Sequence, residues 1–293
     1  MRDFLLDVLE HRIAPEGRAW LEQALAATAP PVDPERLSGC YAEASRRVGK
    51  EALSLDDHER KKLLQLNPLI SLDGWGADEV ARAVLLLSLS GLPPDENRAL
   101  ILRCYEHGDS REQASWLRSL SLLPGCERFL ELATDACRTN IQPLFEAIAC
   151  ENPYPARYFP QLHINQMVLK SLFSGIALSR IVQLETRLDP ELAAIADDYV
   201  SEREAAGRSV PSDIWLILAP KIGSDGLARV HGYLEHEDPE HRYWAAVGLG
   251  LNGNSVNREV LLAARERERE SRIPQAINTS LDQIRVVAEG VAS

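Results

Sequence analysis

Polar side chains at helical spacing follow a proline-rich and aromatic run within residues 152–170. Three prolines within eight residues exclude a regular element there, because each removes a backbone donor and biases the residue before it toward an extended conformation. The sequence after the last of these prolines favours a helix. On that helix His163, Gln166 and Lys170 lie on one side, at spacings of three and four residues. Together they could recognise a polar small molecule, and a desolvated lysine amine could also act as a base or form a Schiff base.

Asn165 lies on the adjoining side of the same helix, where the residues are otherwise apolar. We predict that this side forms a packed stripe of Leu162, Asn165, Leu169, Leu172, Phe173 and Ile176. A buried amide needs hydrogen-bond partners, and the backbone of the proline-rich loop just upstream is the expected partner of Asn165 and Gln166. This is the structural interpretation of the two amides.

The functional interpretation of the same stretch is a polar pocket for a small molecule. Lys170 would supply a charge, and the rings of Tyr154, Tyr158 and Phe159 would supply flat apolar walls. Both interpretations remain open at this point.

A second polar cluster follows in residues 190–215. Arg203 continues the inward face of a helix that begins at Pro190, and Asp213 comes shortly after the turn that ends this helix. We expect an Arg203–Asp213 ion pair across the turn, which would be an ordinary helix-terminal contact or part of a site.

Composition restricts the class of protein. The chain has 293 residues, 45% of them hydrophobic, and a formal net charge of −12, with a pI near 5.1. This acidic balance argues against a nucleic-acid binder, which needs a positive surface to displace counterions from phosphates. No stretch approaches the roughly 20 apolar residues of a membrane span, and acids interrupt the N-terminal run where a signal peptide would be apolar. Five scattered cysteines fit reduced thiols, so we expect a cytoplasmic protein.

Several other residue patterns in the sequence predict no functional site. The cysteines lack zinc-ligand spacing, so no metal is expected. Gly74-Trp75-Gly76 and Gly248-Leu249-Gly250 lack the strand-to-helix context of a dinucleotide loop, and no cofactor is expected. His231, His236 and His241 recur every five residues, which turns each by about 140° from the last on a helix. We interpret these histidines as surface or capping residues.

The predicted fold is all-α. Proline and glycine recur along the chain and leave segments of about ten to fifteen residues, which is typical of stacked antiparallel helices with short connections. Segments 82–91, 116–125 and 244–253 are each apolar and end in glycine, as in a helical repeat. We therefore predict a HEAT-like α-α superhelix that forms one domain over residues 1–293, with its HEAT-like C-terminal part at residues 224–289.

Within residues 150–215, which we call the signature segment, the sequence resembles the EboA family. The motifs that carry the resemblance are Glu151-Asn152-Pro153-Tyr154-Pro155, Phe159-Pro160, Asn165-Gln166-Met167-Val168-Leu169-Lys170, Asp198-Tyr199-Val200-Ser201-Glu202-Arg203 and Asp213-Ile214-Trp215. The resemblance implies a bacterial protein of secondary metabolism that moves a metabolite or its precursor toward the cell envelope. It also implies partners among the products of ebo operons, such as a UbiA-type membrane prenyltransferase, through which the protein would reach the inner membrane. It carries over no catalytic residue.

Two function classes follow. The first is a non-enzymatic helical binding or adaptor protein that holds a metabolite, a partner or both. Its binding residues would be Tyr154, Tyr158, His163, Asn165, Gln166, Lys170, Arg203 and Asp213. The second is an enzyme of the same pathway that acts on a small-molecule precursor through the face of His163, Gln166 and Lys170. A deep pocket that gathers these side chains would favour catalysis or ligand binding, whereas a filled interior would favour a scaffold for proteins.

Overall fold

The computed structural model describes residues 1–291, without the side chains of residues 224–225 and 287–291. Of the predicted HEAT-like part 224–289, the side chains of residues 224–225 and 287–289 lie outside the described residues. The chain is 71% helical, and the described part contains seventeen α-helices and no strand beyond one isolated antiparallel bridge between Ala52 and Gly76. The predicted all-α fold is confirmed.

The chain forms two compact units, Met1–Phe159 and Pro160–Ser293, which we call unit 1 and unit 2. That residues 1–293 fold as a single domain stays a prediction. The helices of unit 1 are α1 (Arg2–Glu10), α2 (Pro15–Ala26), α3 (Pro34–Val48), α4 (Asp57–Leu66), α5 (Ala77–Ser88), α6 (Pro94–Glu106), α7 (Ser110–Ser119), α8 (Leu130–Ala136), α9 (Gln142–Ala149) and α10 (Tyr154–Tyr158). The helices of unit 2 are α11 (Gln161–Phe173), α12 (Pro190–Ala205), α13 (Trp215–Leu218), α14 (Ser224–Tyr233), α15 (Pro239–Asn252), α16 (Val256–Arg267) and α17 (Arg272–Val291).

Helix α5 is the centre of unit 1. Every residue from Ala77 to Leu87 is buried, and the helix packs against α1, α2, α3 and α7. Helix α7 in turn packs against α6 and α9. Helices α3, α5, α7 and α9 therefore form a row in which neighbouring helices are separated by one helix in the sequence. This order is compatible with a HEAT-like stack, which stays a prediction.

The first turns of α5 bury charged side chains. Asp78 is 0% and Arg82 is 1% exposed, and the Arg82 Nη1 lies 2.7 Å from an Asp78 carboxylate oxygen. Arg111 of α7 adds two bonds of 2.7 Å to the same carboxylate. The Arg82 guanidinium also donates to the Tyr41 carbonyl and to the Ser115 hydroxyl. Burial by itself would raise the pKa of Asp78, but the bonds and charges of the two arginines outweigh it and lower that pKa.

Helix α15 is the centre of unit 2, and it packs on α13, α14, α16 and α17. A Cβ added at Gly248 would lie 2.4 Å from the Trp215 carbonyl oxygen, and one at Gly250 would lie 2.5 Å from the Ser280 Cβ. Both glycines thus let neighbouring backbones approach α15. This packing explains the Gly-Leu-Gly sequence, which is part of a helix.

Candidate functional site

Asn152 and Tyr154 of the signature segment belong to the core of unit 1. The Asn152 amide donates to the carbonyls of Leu117 and Ala147, each at 3.0 Å, and accepts from the Tyr154 backbone N–H at 3.0 Å. Tyr154 is 0% exposed, and its hydroxyl donates to the Cys126 carbonyl at 2.9 Å. Burial raises the pKa of Tyr154, so the phenol stays protonated as a donor. The Tyr154 ring is therefore a core side chain of unit 1.

Tyr158 packs beside Tyr154 and is half-buried. The two ring centroids are 4.8 Å apart, and the Arg157 guanidinium lies over the Tyr158 ring at 5.4 Å from its centroid. A hydrogen bond with the Cys126 thiol, together with burial, raises the pKa of Tyr158 to about 12. Both tyrosines of the predicted site are thus anchored on Cys126.

Asn165 of α11 is a buried, hydrogen-bonded residue, as the sequence suggested, but its hydrogen-bond partner differs from the expected one. It is 4% exposed, donates to the Asp189 carboxylate at 3.1 Å and accepts from the Gln161 amide at 3.0 Å. Asp189 caps α12 by accepting from the Leu192 N–H at 2.8 Å. The prediction that Asn165 bonds the upstream proline-rich loop is wrong, because its amide bonds Asp189 at the start of the next helix.

The predicted apolar stripe of α11 is also partly wrong. Leu162 is 59% and Phe173 57% exposed, whereas the described buried residues of the helix include Ile164, Val168 and Leu172. The buried face of α11 is thus rotated about the helix axis relative to the predicted apolar stripe. Phe173 instead contacts Tyr199 of α12, with ring centroids 5.1 Å apart.

The polar face of α11 carries three predicted site residues, at the spacing that a helix gives them. Gln166 is exposed, and His163 and Lys170 are half-buried. That this face binds a ligand or partner stays a prediction.

Arg203 and Asp213 each bond other groups of unit 2. The Arg203 guanidinium donates to the Ser209 carbonyl and to the Tyr199 hydroxyl. One Asp213 carboxylate oxygen accepts from the Leu178 N–H at 2.6 Å, at the start of the 3-10 turn Leu178–Arg180. The expected Arg203–Asp213 ion pair is replaced by these contacts, because each side chain stabilises a nearby loop.

Asp213 also lines a cavity of about 400 Å³ in unit 2. Its lining residues come from the end of α11, the segment after it, the turn before α13 and helix α15. They are Leu172, Gly175, Ile176, Ala177, Ser179, Pro211, Ser212, Asp213, Glu240 and Trp244. Burial raises the pKa of Asp213, and the backbone N–H groups of Leu178 and of Asp213 itself oppose this. A half-buried carboxyl thus shares a cavity with an indole ring and aliphatic side chains, which suits a small molecule with hydrogen-bond donors.

One of the three histidines after residue 230, His241, is placed differently from the prediction. His241 is 5% exposed, its Nδ1 accepts from the Trp215 indole N–H at 3.0 Å, and its ring centroid is 4.3 Å from that of His236. Burial, and then the neighbouring His236, lower the pKa of His241. The surface interpretation of His241 is wrong, because Pro239 begins α15 and turns the chain so that His241 packs inward. His231 contacts Asn257 at 2.9 Å.

A family model described as metabolite traffic protein EboA matches residues 1–219 of the chain. The chain belongs to the EboA family. No curated protein and no solved structure matches it. The EboA match includes all of unit 1, all eight predicted site residues and the Asp213 side of the cavity. Trp244 and Glu240, which also line the cavity, lie beyond the matched residues.

Sequence reasoning found Asp213 and missed Trp244. The one signal for Trp244 is its place at the start of the third glycine-terminated segment, where a large aromatic residue is half-buried. The family's description as a metabolite traffic protein fits a small-molecule role. Within the described residues, none of the helices combines the length and the apolar sequence that spanning a bilayer requires.

Proposed function

We propose that this EboA-family protein is a non-enzymatic helical binding and adaptor protein. It holds a secondary metabolite or its precursor in the Asp213 cavity of unit 2 and hands it on toward the cell envelope. It acts with other ebo-operon proteins, among them a UbiA-type membrane prenyltransferase, and works on the cytoplasmic side of the membrane.

The observation that carries the proposal is the half-buried Asp213 carboxyl, which lines a cavity of about 400 Å³ together with Trp244. Ligand sites of this size are mostly apolar, with few polar groups that fix the orientation of the ligand. Leu172, Ile176 and Pro211 supply the apolar wall. The acidic group favours a ligand that presents an amine or hydroxyl hydrogen-bond donor.

Charge in the cavity comes mainly from Asp213. Glu240 also lines the cavity, but it forms an ion pair with Arg272, whereas the Asp213 carboxyl accepts from backbone N–H groups. Among the described residues no arginine or lysine forms an ion pair with Asp213, so a bound donor would meet an unneutralised carboxylate. In a partly buried site such a charge-assisted bond is stronger than a neutral one.

The test is purification of the full chain under native conditions, followed by mass spectrometry of the small molecules and proteins that come with it. Asp213→Asn keeps the shape and a carbonyl acceptor for Leu178 but removes the charge, and Trp244→Leu removes the indole ring. Asp198→Asn makes the same chemical change at an exposed position of α12 and is the matched control. We expect a small molecule with the wild type and the control. It should be depleted at least about tenfold in Asp213→Asn, since a lost hydrogen bond to a charged group costs about 1.5–3 kcal/mol. It should also be depleted in Trp244→Leu, because that variant loses the apolar contact of the indole ring. Equal recovery from all four proteins, or no bound molecule with the wild type, would show that this cavity is not the binding site.

A further inference from the structure

A second cavity lies in unit 1, and its chemistry differs from that of the Asp213 cavity. It is a cleft of about 610 Å³ between α6, α8 and the start of α9, and it lies wholly within the part of the chain that matches the EboA family. None of the eight residues predicted from the sequence lines it.

The floor of the cleft is aromatic and aliphatic. Tyr105 and Phe129 line it, and both rings pack on the buried Trp116, with centroid distances of 5.0 and 5.1 Å. Leu102 of α6 and Leu132 of α8 supply aliphatic side chains between them. Aromatic rings braced by a buried tryptophan present a rigid apolar surface, which suits a flat apolar body.

One end of the cleft is basic. Arg98 is exposed and Arg128 is half-buried. Arg128 bonds neutral oxygens, the carbonyls of Pro94 at 3.2 Å and Pro124 at 3.4 Å and the Asn97 side chain. Among the described residues neither guanidinium forms an ion pair with a carboxylate. In a chain of net charge −12, two arginines that no acid neutralises are a local site for an anion.

The other end of the cleft carries a phenol and carboxylates. Burial, and then the charge of Asp135, raise the pKa of Tyr105, so its hydroxyl remains a hydrogen-bond donor. Asp135 is paired with Arg138 at 2.8 Å. Arg98 and Tyr105 lie seven residues apart on α6, so the two ends are separated by about 10 Å at 1.5 Å per residue.

We propose that this cleft binds a small molecule with a flat apolar body and an acidic group, which Arg98 and Arg128 hold at the basic end. The inference does not depend on the Asp213 cavity, because the two cavities share no residue. It gives the protein a second binding site of opposite charge preference. Glu131 and Asp135 also line the cleft, and because Asp135 is paired with Arg138, Glu131 is the acidic side chain that mainly opposes such a ligand.

The experiment titrates the full chain with two fluorescent probes that share a ring system. Anilinonaphthalene sulfonate carries a negative charge, and N-phenylnaphthylamine is neutral. Arg98→Gln should weaken binding of the sulfonate by about 1.4-fold to fivefold, the effect of one exposed ion pair, and leave the neutral probe unchanged. Glu131→Gln should strengthen binding of the sulfonate, and added salt should weaken it. Arg46→Gln, at an exposed position of α3, is the matched control and should change neither probe.

Further measurements show where on the protein the probes bind. Leu102→Trp narrows the cleft between the aromatic rings and should reduce binding of both probes, with the melting temperature showing that the variant is folded. Benzoate should displace the sulfonate probe, whereas inorganic phosphate, which lacks an apolar body, should displace it far less. Asp213→Asn should leave the Arg98-dependent binding intact. The binding of probes to this cleft and the binding of a metabolite to the Asp213 cavity can therefore be refuted independently. The proposal is overturned if Arg98→Gln and Arg46→Gln affect the sulfonate equally, or if folded Leu102→Trp binds both probes like the wild type.

Discussion

Replacing Asp78 with asparagine removes the only carboxylate bonded to Arg82 among the described residues, while preserving the shape of the side chain. Arg82 is 1% exposed and has no route to water, whereas Arg111, at 40% side-chain exposure, can turn to solvent. Removing one partner of a buried ion pair costs about 3–5 kcal/mol, because an uncompensated charge stays inside. We therefore expect Asp78→Asn to lower the free energy of unfolding by about 3–5 kcal/mol, and the melting temperature by about 6–20 °C for a domain of this size.

The measurement is urea denaturation of the full chain, followed by far-ultraviolet circular dichroism. Asp73→Asn is the matched control, because it breaks the Arg60–Asp73 pair at 3.2 Å between two exposed side chains. It should cost less than about 1 kcal/mol. Removing both charges, in Asp78→Asn with Arg82→Met, should recover part of the loss, since the buried charge is then gone. A loss below about 1 kcal/mol for Asp78→Asn, or a double variant worse than the sum of the single ones, would refute this reasoning.

The same ion pair predicts how stability depends on pH. The pKa of Asp78 in the folded state lies below its ordinary value of 3.8. Its contribution is therefore fully present above about pH 4 and is lost as the pH falls through the folded pKa. Wild type should lose stability between pH 4 and more acidic values, and the loss should be smaller in Asp78→Asn.

Three further predictions concern the rest of the chain. Asn165→Ala should destabilise by about 1–3 kcal/mol in urea denaturation, because it leaves buried partners unsatisfied; an unchanged midpoint would mean that the amide is not structural. Gly248→Ala should lower the melting temperature, since its Cβ would lie 2.4 Å from a carbonyl oxygen, whereas Gly232→Ala, whose Cβ meets nothing within 4 Å, should be neutral or stabilising; equal effects would contradict the packing argument. Lys170→Met should reduce metabolite output in cells without changing the level of folded protein, and Arg267→Met on α16 should not; normal output from both would remove the α11 polar face, and an enzyme acting through it, from consideration.

The starts of the helices were predictable because they depend on local chemistry. Pro15, Pro34, Pro94, Pro190 and Pro239 each stand in the first turn of a helix. A proline there loses no hydrogen bond, because the first N–H groups of a helix have no partner within it. The sequence therefore predicts both the helix and its first residue at these points.

The buried charges of α5 were not predictable in this way. Asp78 and Arg82 are four residues apart, a spacing that usually marks an exposed pair on a helix surface. Their burial depends on Tyr41, Arg111 and Ser115, which lie between 29 and 41 positions away in sequence. No local pattern carries that information.

The candidate site was likewise predictable where it depends on local sequence and not where it depends on distant residues. Asp213 was found because it stands in the signature segment, but its cavity needs Trp244, about 30 positions further along the chain. The unit 1 cleft was missed altogether, because its arginines and aromatic rings come from α6 and from the distant 3-10 turn Cys126–Phe129, whose sequences are each ordinary. Concentrating on one polar stretch finds the residues of that stretch and overlooks sites that distant segments build together.

The role of Asp213 can be resolved into charge and position. One carboxylate oxygen accepts from the Leu178 N–H at 2.6 Å, so the side chain cannot turn without breaking that bond. A carboxylate held in this way presents an acceptor at one defined point of the cavity, as a site that orients its ligand requires. Asp213→Glu keeps the charge but moves the carboxylate by about 1.5 Å, the length of one carbon–carbon bond. We therefore expect Asp213→Glu to lose the co-purifying small molecule as Asp213→Asn does, although its charge is that of the wild type. Retention by Asp213→Glu alone would mean that charge suffices and that the bond to Leu178 plays no part in recognition.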